Sequence, residues 1–328
     1  MADALSGRLD QVVDTILARG DATAALADTE LAPLARLAAE LRHYPAPAFK
    51  ARLRATLKER ATMTTTLSAA APTTTTAREG FTTVTPYIMA RDESFTTFLK
   101  QAFGAVETET TKTPRGVHRE LRVGNSMLMV GESAEETTVP VRPSAYHIFV
   151  DDPDATFERA LAAGATSLGE PADRPYGERS GFVKDAMGNY WYIARSLRGG
   201  AAVPEGMRTI TPYLHPISVP SYIDFLTRAF GAVEEARYSA PDGRVMHAQV
   251  RLGNAMIEMG EPDPAVPMPA TFYLYVDDAD ALYHRAVAAG ATALTPPTDQ
   301  SYGDRVGSVR DSTGTLWYIA RPAEATGR

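Results

Sequence analysis

The chain has 328 residues, contains no cysteine and carries a formal net charge of −7. The lack of cysteine excludes disulfides, thiolate metal sites and cysteine nucleophiles, and the acidic balance argues against nucleic-acid binding, which usually needs a basic domain. The N-terminus lacks the basic flank and apolar run of a signal peptide, and no apolar run approaches the ~20 residues that span a bilayer. We therefore expect a cytoplasmic protein with no nucleic-acid partner and no membrane partner.

Residues 1–61 carry apolar side chains at helical spacing. The first stripe ends at Gly20, the second ends at the Pro45-Ala46-Pro47 break, and the third begins near Phe49. The basic surface of the third helix suits a docking module for a partner or membrane, or the solvated face of a small bundle, which we favour. Residues 62–79 are rich in Thr, Ala and Pro without periodicity, and we predict a linker there.

The rest of the chain contains one long segment twice. TVTPYIMARDESFTTFLKQAFG (83–104) corresponds to TITPYLHPISVPSYIDFLTRAFG (209–231). Further along, YGERSGFVKDAMGNYWYIA (176–194) corresponds to YGDRVGSVRDSTGTLWYIA (302–320) without a gap. Internal repetition sets the architecture. Function should therefore be sought in the differences between the two copies.

Each copy divides again into two similar halves. In the first half an alternating strand, TTVTPYIMA, precedes a helix that ends at Gly104, and three strands follow with a hairpin turn at Gly124-Asn125. The second half repeats this order of elements. The sequence therefore predicts an α+β protein with two tandem domains, at 80–198 and 207–322, joined by a linker at 199–206. Each domain consists of two βαβββ units.

Several short motifs occur in both copies. They are the PYI or PYL start, the FGA end of the first helix, the DD-x-DA start of the second helix and the D-x-x-G-x-x-W-Y close. Together with the element order, they resemble the vicinal oxygen chelate superfamily of glyoxalases, bleomycin-resistance proteins and extradiol dioxygenases, nearest to its PhnB-like branch. The resemblance covers about residues 81–322. It implies sheets curled around a cleft for a metal or an apolar ligand, and a monomer that imitates the dimer of single-copy relatives; it does not name the reaction.

Strand alternation separates helix-facing from cleft-facing side chains, because successive residues point to opposite faces. Large apolar residues such as Leu128 and Trp191 are assigned to the helix side. The other side is rich in aromatic and methionine side chains with few polar groups, which is typical of pockets for small organic ligands. The predicted ligand-binding residues are Tyr87, His118, Glu120, Met129, His147, Phe149, Tyr190, Tyr192, Tyr213, His215, His247, Gln249, Glu258, Tyr273 and Tyr318.

The resemblance also implies where a metal would bind. Metal-binding relatives use an inward His, Gln or Glu on the first, fourth, fifth and eighth strands of a site. The corresponding residues of the first copy are Thr85, Met129, Ala145 and Tyr192. Those of the second copy are Thr211, Glu258, Thr271 and Tyr318. Only Glu258 is a competent ligand for a divalent ion, and we predict neither a metal nor another cofactor.

Two other donor sets keep a divalent metal open as an alternative, because two His and one carboxylate form a recognised metal set. The set of the first copy is His118, Glu120 and His147. The set of the second copy is His215, His247 and Glu258.

Two functions stay open. The first is a metal-independent protein that binds a small apolar or aromatic molecule. The second is a lyase, isomerase or hydrolase of the superfamily that uses these His and Glu residues with or without a metal. His147 or His118, next to Glu120, is then the candidate general base. A weaker third option is interaction through the basic N-terminal helix. The YGER and YGDR segments (176–179 and 302–305) are interpreted as turn and ion-pair architecture, because both copies carry them.

Overall fold

The computed structural model describes residues 78, 80–114, 116–133, 141–198, 200–262 and 267–322. The predicted helical module at 1–61 lies outside these residues, and so does the predicted linker at 62–79 except for Arg78. Within them the chain forms 16 strands and 4 helices in four βαβββ units, which confirms the α+β class and the tandem duplication. No helix in this part of the chain is long and apolar enough to cross a membrane.

Each unit is a strand, a helix and three further strands. Unit 1 comprises β1 (Val84–Ala90), α1 (Ser94–Phe103), β2 (Val106–Thr113), β3 (Gly116–Val123) and β4 (Ser126–Glu132). Unit 2 comprises β5 (Ala145–Phe149), α2 (Pro153–Ala162), β6 (Thr166–Arg174), β7 (Glu178–Lys184) and β8 (Tyr190–Ser196). Unit 3 comprises β9 (Ile210–Leu214), α3 (Val219–Phe230), β10 (Val233–Ser239), β11 (Val245–Leu252) and β12 (Ala255–Met259). Unit 4 comprises β13 (Thr271–Tyr275), α4 (Ala279–Ala288), β14 (Thr292–Asp299), β15 (Arg305–Arg310) and β16 (Leu316–Arg321).

The helix ends explain two of the repeated motifs. In the FGA motifs, Gly104 and Gly231 end α1 and α3 with φ of 66° and 74°, a left-handed conformation that glycine adopts without steric cost. In the DD-x-DA motifs, the side chains of Asp152 and Asp278 accept hydrogen bonds from the first turns of α2 and α4. Such caps satisfy backbone N–H groups that have no partner within the helix.

The strands form two eight-stranded sheets that each combine both repeats. The first sheet runs β14-β15-β16-β13-β1-β4-β3-β2, and the second runs β10-β11-β12-β9-β5-β8-β7-β6. The halves meet through antiparallel pairs, with Thr85 opposite Tyr273 in the first sheet and Ala145 opposite Tyr213 in the second. The sequence by itself suggests that the cleft residues of one repeat face one common cleft. The structure instead places units 1 and 4 in one sheet and units 2 and 3 in the other.

The helices, in contrast, pack within their own repeat. Helices α1 and α2 cover a core around Phe95, Leu99 and Trp191, and α3 and α4 cover a second core around Phe230 and Trp317. Burial of each such side chain contributes about 1.5–3 kcal/mol. Each repeat therefore has its own hydrophobic core even though each sheet is shared between the repeats.

The tryptophans are also fixed by polar contacts from the closing turns. The carboxylate of Asp185 accepts a hydrogen bond from Trp191 Nε1 at 2.9 Å and another from the backbone N–H of Asn189 at 2.9 Å. Asp311 accepts from Trp317 Nε1 at 2.9 Å in the same way. These contacts give the repeated D-x-x-G-x-x-W-Y close a structural role beneath the helices.

Two hairpin turns join the repeats reciprocally. Asn125 Oδ1 accepts a hydrogen bond from Thr209 N at 2.7 Å, and Asn254 Oδ1 accepts one from Thr83 N at 2.8 Å. The glycine before each asparagine lies so close to the partner threonine that a Cβ at Gly253 would come within 2.2 Å of Thr83 Oγ1. The Gly-Asn turns predicted as hairpins thus also hold each sheet together across the repeats.

The cleft lies on the sides of the sheets that do not carry helices. As alternation predicts, Leu128 and Trp191 lie in the helix-covered core. We call the opposite side of the first sheet the first cleft face, and it carries Tyr87, His118, Glu120, Met129, Tyr273, Tyr275 and Tyr318. We call the opposite side of the second sheet the second cleft face, and it carries His147, Phe149, Tyr192, Tyr213, His215, His247, Gln249 and Glu258.

Candidate functional site

A buried ion pair lies at the centre of the second cleft face. His147 on β5 places Nδ1 2.8 Å from Oε2 of Glu258 on β12. The two side chains are 8% and 2% exposed. Because β5 belongs to the first repeat and β12 to the second, neither repeat contains this pair alone. A buried charge is tolerated when it is paired and hydrogen-bonded, and the sheet that joins the repeats supplies the partner.

Further polar groups surround the pair. Gln249 Nε2 donates to Glu258 Oε1 at 3.3 Å, and His247 Nε2 lies 3.5 Å from the same oxygen. On the other side, Glu178 Oε2 lies 3.4 Å from His147 Nε2. The contact with Glu178 lacks hydrogen-bond geometry, and Nε2 is buried without a hydrogen-bond partner among the described residues.

The two carboxylates determine the protonation of the imidazole. Burial by itself lowers the pKa of His147, but its interactions with Glu258 and Glu178 outweigh burial and raise this pKa to about 10. Burial raises the pKa of Glu258, yet the charge of His147 outweighs it and leaves the pKa below its ordinary value. At neutral pH the pair is therefore an imidazolium facing a carboxylate. Its Nε2 carries a proton that is available to an acceptor.

Aromatic rings form the wall beside this pair. The ring centroids of Tyr192 and Tyr213 are 5.0 Å apart, those of Tyr213 and His215 are 5.0 Å apart, and Phe182 lies 5.4 Å from Tyr192. His147 stacks on Phe149 with a centroid distance of 4.2 Å. These separations are typical of favourable aromatic pairs. The wall therefore places aromatic ring surface next to the charged His147.

Burial keeps His215 neutral at physiological pH, because it lowers the pKa of this imidazole. Its Nε2 lies 3.1 Å from the Tyr192 hydroxyl, which fixes the ring against the aromatic wall. His215 therefore contributes an uncharged aromatic surface, in contrast to the charged His147.

The first cleft face has different residues at the matching positions. Tyr273 replaces the histidine, and its hydroxyl donates to Asp304 Oδ2 at 3.1 Å. This bond corresponds to the approach of Glu178 to His147 on the other face. Met129 occupies the position of Glu258, and the Tyr87 and Tyr318 rings lie 5.8 Å apart. The first face thus has no counterpart of the imidazolium–carboxylate pair at this position.

The similarity of the chain to known proteins agrees with this architecture. A model of the Glyoxalase/Bleomycin resistance protein/Dioxygenase superfamily matches residues 88–193 and 218–319. The chain belongs to this superfamily. Glyoxalase I of Zea mays has a similar fold, with a TM-score of 0.59 and 14% identity over 73% of this chain and 92% of the maize chain. A proposed dioxygenase of Bacillus subtilis gives a TM-score of 0.52 and 14% identity over 73% of this chain and 84% of its own.

Sequence relatives occur in mycobacteria. An uncharacterized protein of Mycobacterium bovis is 35% identical over 125 residues, which is 34% of this chain and 82% of the relative. The proposed glyoxylase CFP32 of Mycobacterium bovis is 25% identical over 212 residues, which is 60% of this chain and 80% of the relative. The structural likenesses support the superfamily fold, and the chemistry has to be argued from the residues of this chain.

The metal positions of the superfamily do not fit a divalent ion here. When the residues at these positions are grouped by sheet, those of the first face are Thr85, Met129, Thr271 and Tyr318. The second face offers Ala145, Tyr192, Thr211 and Glu258. Glu258 is the single competent ligand in these sets, and its Oε2 is bonded to His147. In the part of the chain that the structure describes, no three His, Asp or Glu side chains are arranged to hold a metal ion.

The two other donor sets predicted from the sequence are not assembled. His118 and Glu120 lie on β3 of the first sheet and His147 lies on β5 of the second, so the predicted convergence of these three residues is wrong. Of the other set, His247 is a neighbour of Glu258, whereas His215 is turned to Tyr192. The grouping failed because it assumed that each cleft forms within one repeat.

The remaining predicted ligand-binding residues divide between the faces. Tyr190 lies on β8 with the same side-chain direction as Tyr192. Two residues at the sites were missed by sequence reasoning, namely Glu178 and Arg78. Glu178 was assigned to turn architecture, although its position at the start of β7 points it towards His147. The neighbouring Arg179 does have that role, because it pairs with Asp154 at 2.5 Å.

Proposed function

We propose that the second cleft face binds a small, neutral aromatic molecule without a divalent metal, and that His147 Nε2 donates a hydrogen bond to it. The observation that carries this proposal is the buried, protonated Nε2 without a hydrogen-bond partner among the described residues, next to an aromatic wall. A buried polar group without a partner is costly, and a ligand acceptor would remove this cost.

The charges favour a neutral ligand over an acid. Glu258 and Glu178 both approach the imidazolium of His147, at 2.8 and 3.4 Å. A ligand carboxylate would add a third negative charge at close range, whereas an aromatic ketone or phenol offers an acceptor oxygen without charge. Tyr192 and Tyr213 then provide the apolar contact area.

The test is calorimetric binding of acetophenone and benzoate to the full chain in buffer with EDTA. We expect acetophenone to bind and benzoate to bind at least about tenfold more weakly. Tyr213→Ala should weaken binding by about tenfold or more, because a small aromatic ring stacks on tyrosine as a nucleic-acid base does, and such a base contributes about 1–3 kcal/mol. The matched control is Tyr87→Ala, the same position on the first cleft face, which should leave the affinity unchanged. Equal loss in both variants, or dependence on an added metal, contradicts the proposal.

Proton-transfer catalysis in the same site is the second candidate. It is favoured by the contact of Glu258 with His147 at 2.8 Å, because a carboxylate that orients an imidazole is a common arrangement in general acid–base catalysis. The glyoxylase name of the CFP32 relative points in the same direction. Mass spectrometry of a bound compound after prolonged incubation separates the candidates. Conversion that disappears in His147→Tyr supports catalysis, and recovery of unchanged compound supports binding alone.

A further inference from the structure

The first cleft face contains a buried carboxylate that is bound by an arginine from outside the sheet. Glu120 on β3 is 4% exposed. Arg78 precedes β1, and its Nη1 and Nη2 lie 2.5 and 3.0 Å from the two carboxylate oxygens of Glu120. This bidentate contact is the geometry in which guanidinium groups bind carboxylates most strongly. Burial raises the pKa of Glu120, and the Arg78 guanidinium opposes that rise.

The surroundings of the Arg78 head group form a site for a planar cation. The guanidinium carbon lies 4.9 Å above the Phe81 ring, and Phe81 packs edge-on against Tyr275 at 5.8 Å. Glu109 contributes a second carboxylate oxygen at 3.3 Å. A guanidinium over an aromatic face gains cation–π attraction in addition to its hydrogen bonds. The site therefore binds the Arg78 guanidinium through carboxylates at its edge and through the Phe81 ring against its plane.

An independent observation also points to a ligand donor at this place. Tyr275 is fully buried, and its hydroxyl has no hydrogen-bond partner among the described residues. Burial raises the pKa of this phenol, and the neighbouring Arg78 guanidinium partly offsets the rise. This buried hydroxyl can accept a hydrogen bond from a guanidinium that, unlike Arg78, is not tethered to the backbone.

The second cleft face lacks all three components. In the other copy of the repeat, the residues that correspond to Arg78, Glu120 and Tyr275 are Pro204, Gln249 and Phe149. Gln249 there bonds to Glu258 instead. The guanidinium site is therefore specific to the first sheet and does not follow from the fold alone.

We infer that the first cleft face is a binding site for guanidinium cations, and that the chain's own Arg78 occupies it as a tethered ligand. The Arg78 side chain is 40% exposed, so the site opens to solvent on the side from which the arginine enters. The first face is then filled from within the chain, and the second face remains for a free ligand. This inference does not depend on the aromatic ligand proposed above.

The test is chemical rescue of Arg78→Ala in the full chain. Calorimetry at constant ionic strength measures binding of methylguanidinium and, as a control for charge alone, methylammonium. We expect stoichiometric binding of methylguanidinium to Arg78→Ala and none to the parent protein, whose site is already filled. Methylammonium should bind at least about tenfold more weakly, because it lacks the planar fork. The double variant Arg78→Ala with Glu120→Gln should bind methylguanidinium about tenfold or more weakly than Arg78→Ala alone.

The result that overturns the inference is absence of methylguanidinium binding by folded Arg78→Ala, or equal binding by the parent protein. If Arg78→Ala alone does not fold, a cooperative thermal transition that returns with methylguanidinium supports the inference, and failure to return contradicts it. Arg78→Ala combined with His147→Tyr separates the two faces once circular dichroism shows that this variant is folded. Retained methylguanidinium binding by the folded variant supports the first face as the site, and loss of binding by the folded variant contradicts this assignment. Acetophenone binding by Arg78→Ala reports separately on the function proposed for the second face.

Discussion

The first cleft face shows which residues can take the place of the ion pair on the second face. His147 and Glu258 correspond to Tyr273 and Met129 on the first face, where both residues are buried and in one apolar cluster. We therefore consider His147→Tyr, Glu258→Met and the double variant, which copies the first face. In the double variant the new tyrosine hydroxyl can bond to Glu178, as Tyr273 bonds to Asp304 at 3.1 Å.

The size of the effect follows from the burial of the pair. A pKa of His147 raised from 6.5 to about 10 corresponds to about 5 kcal/mol, at about 1.4 kcal/mol for each pH unit. Loss of one partner of a buried ion pair costs about 3–5 kcal/mol in other proteins. We expect each single variant to lower the free energy of unfolding by about 3 kcal/mol. The double variant should lose about 2–3 kcal/mol, mainly because tyrosine is larger than histidine.

The assay is urea unfolding followed by far-UV circular dichroism and tryptophan fluorescence. A double-mutant cycle then gives the coupling between His147 and Glu258, for which we expect about 3 kcal/mol. Additive losses, with a double variant about 6 kcal/mol less stable than the parent, would show that the two side chains do not interact and would refute the reasoning.

The same variants predict a pH dependence. The raised pKa of His147 means that its stabilisation is complete below pH 6.5 and is lost as the pH rises towards about 10. The lowered pKa of Glu258 means that its stabilisation is present above pH 4.5 and is lost as the pH falls. The advantage of the parent over the single variants should therefore be largest between about pH 4.5 and 6.5. An advantage that grows from pH 7 to pH 10 would contradict the charge assignment.

Two further predictions concern the scaffold, both read from thermal and urea unfolding. Gly253→Ala should destabilise the protein by about 1–3 kcal/mol, because φ is 59° and the new Cβ would meet Thr83 Oγ1 at 2.2 Å. The control is Gly243→Ala, where φ is 88° and no atom lies within 4 Å of the new Cβ. This control should show only the smaller cost of placing alanine at a positive φ. Asp185→Ala should cost about 2–4 kcal/mol, because Trp191 Nε1 loses its acceptor; a loss below 1 kcal/mol would show that this bond is replaced by another.

Much of the fold follows from periodicity and turn chemistry. The repeated Gly104 and Asp152 motifs are helix caps, whose conformation depends on local residues alone. The assignment of Leu128 and Trp191 to the helix side needs only the alternation of side chains along a strand. Such local rules act over a few residues, and they therefore identified the four units and their faces without knowledge of the tertiary structure.

Unit pairing could not be derived in the same way. The exposed edge of β1 must be paired, and β5 of its own repeat or β13 of the other repeat satisfies its backbone equally well. The choice depends on contacts between distant residues, such as Asn254 with Thr83. Arg78 was missed for a related reason, since an arginine at the end of a Thr-rich segment gives no sign that Glu120 lies beside it in space.

The cross-repeat sheets also change how the divergence of the copies is interpreted. If the two repeats are aligned and this position is considered alone, the difference between Met129 and Glu258 looks like an isolated gain of a buried charge. In the structure Glu258 faces His147, and Met129 packs in the cluster that contains Tyr273. A carboxylate is thus matched by an imidazolium on one face, and a thioether by a phenol on the other. A substitution at one of these positions therefore changes the surroundings of a side chain in the other repeat, because the interacting side chains belong to different repeats.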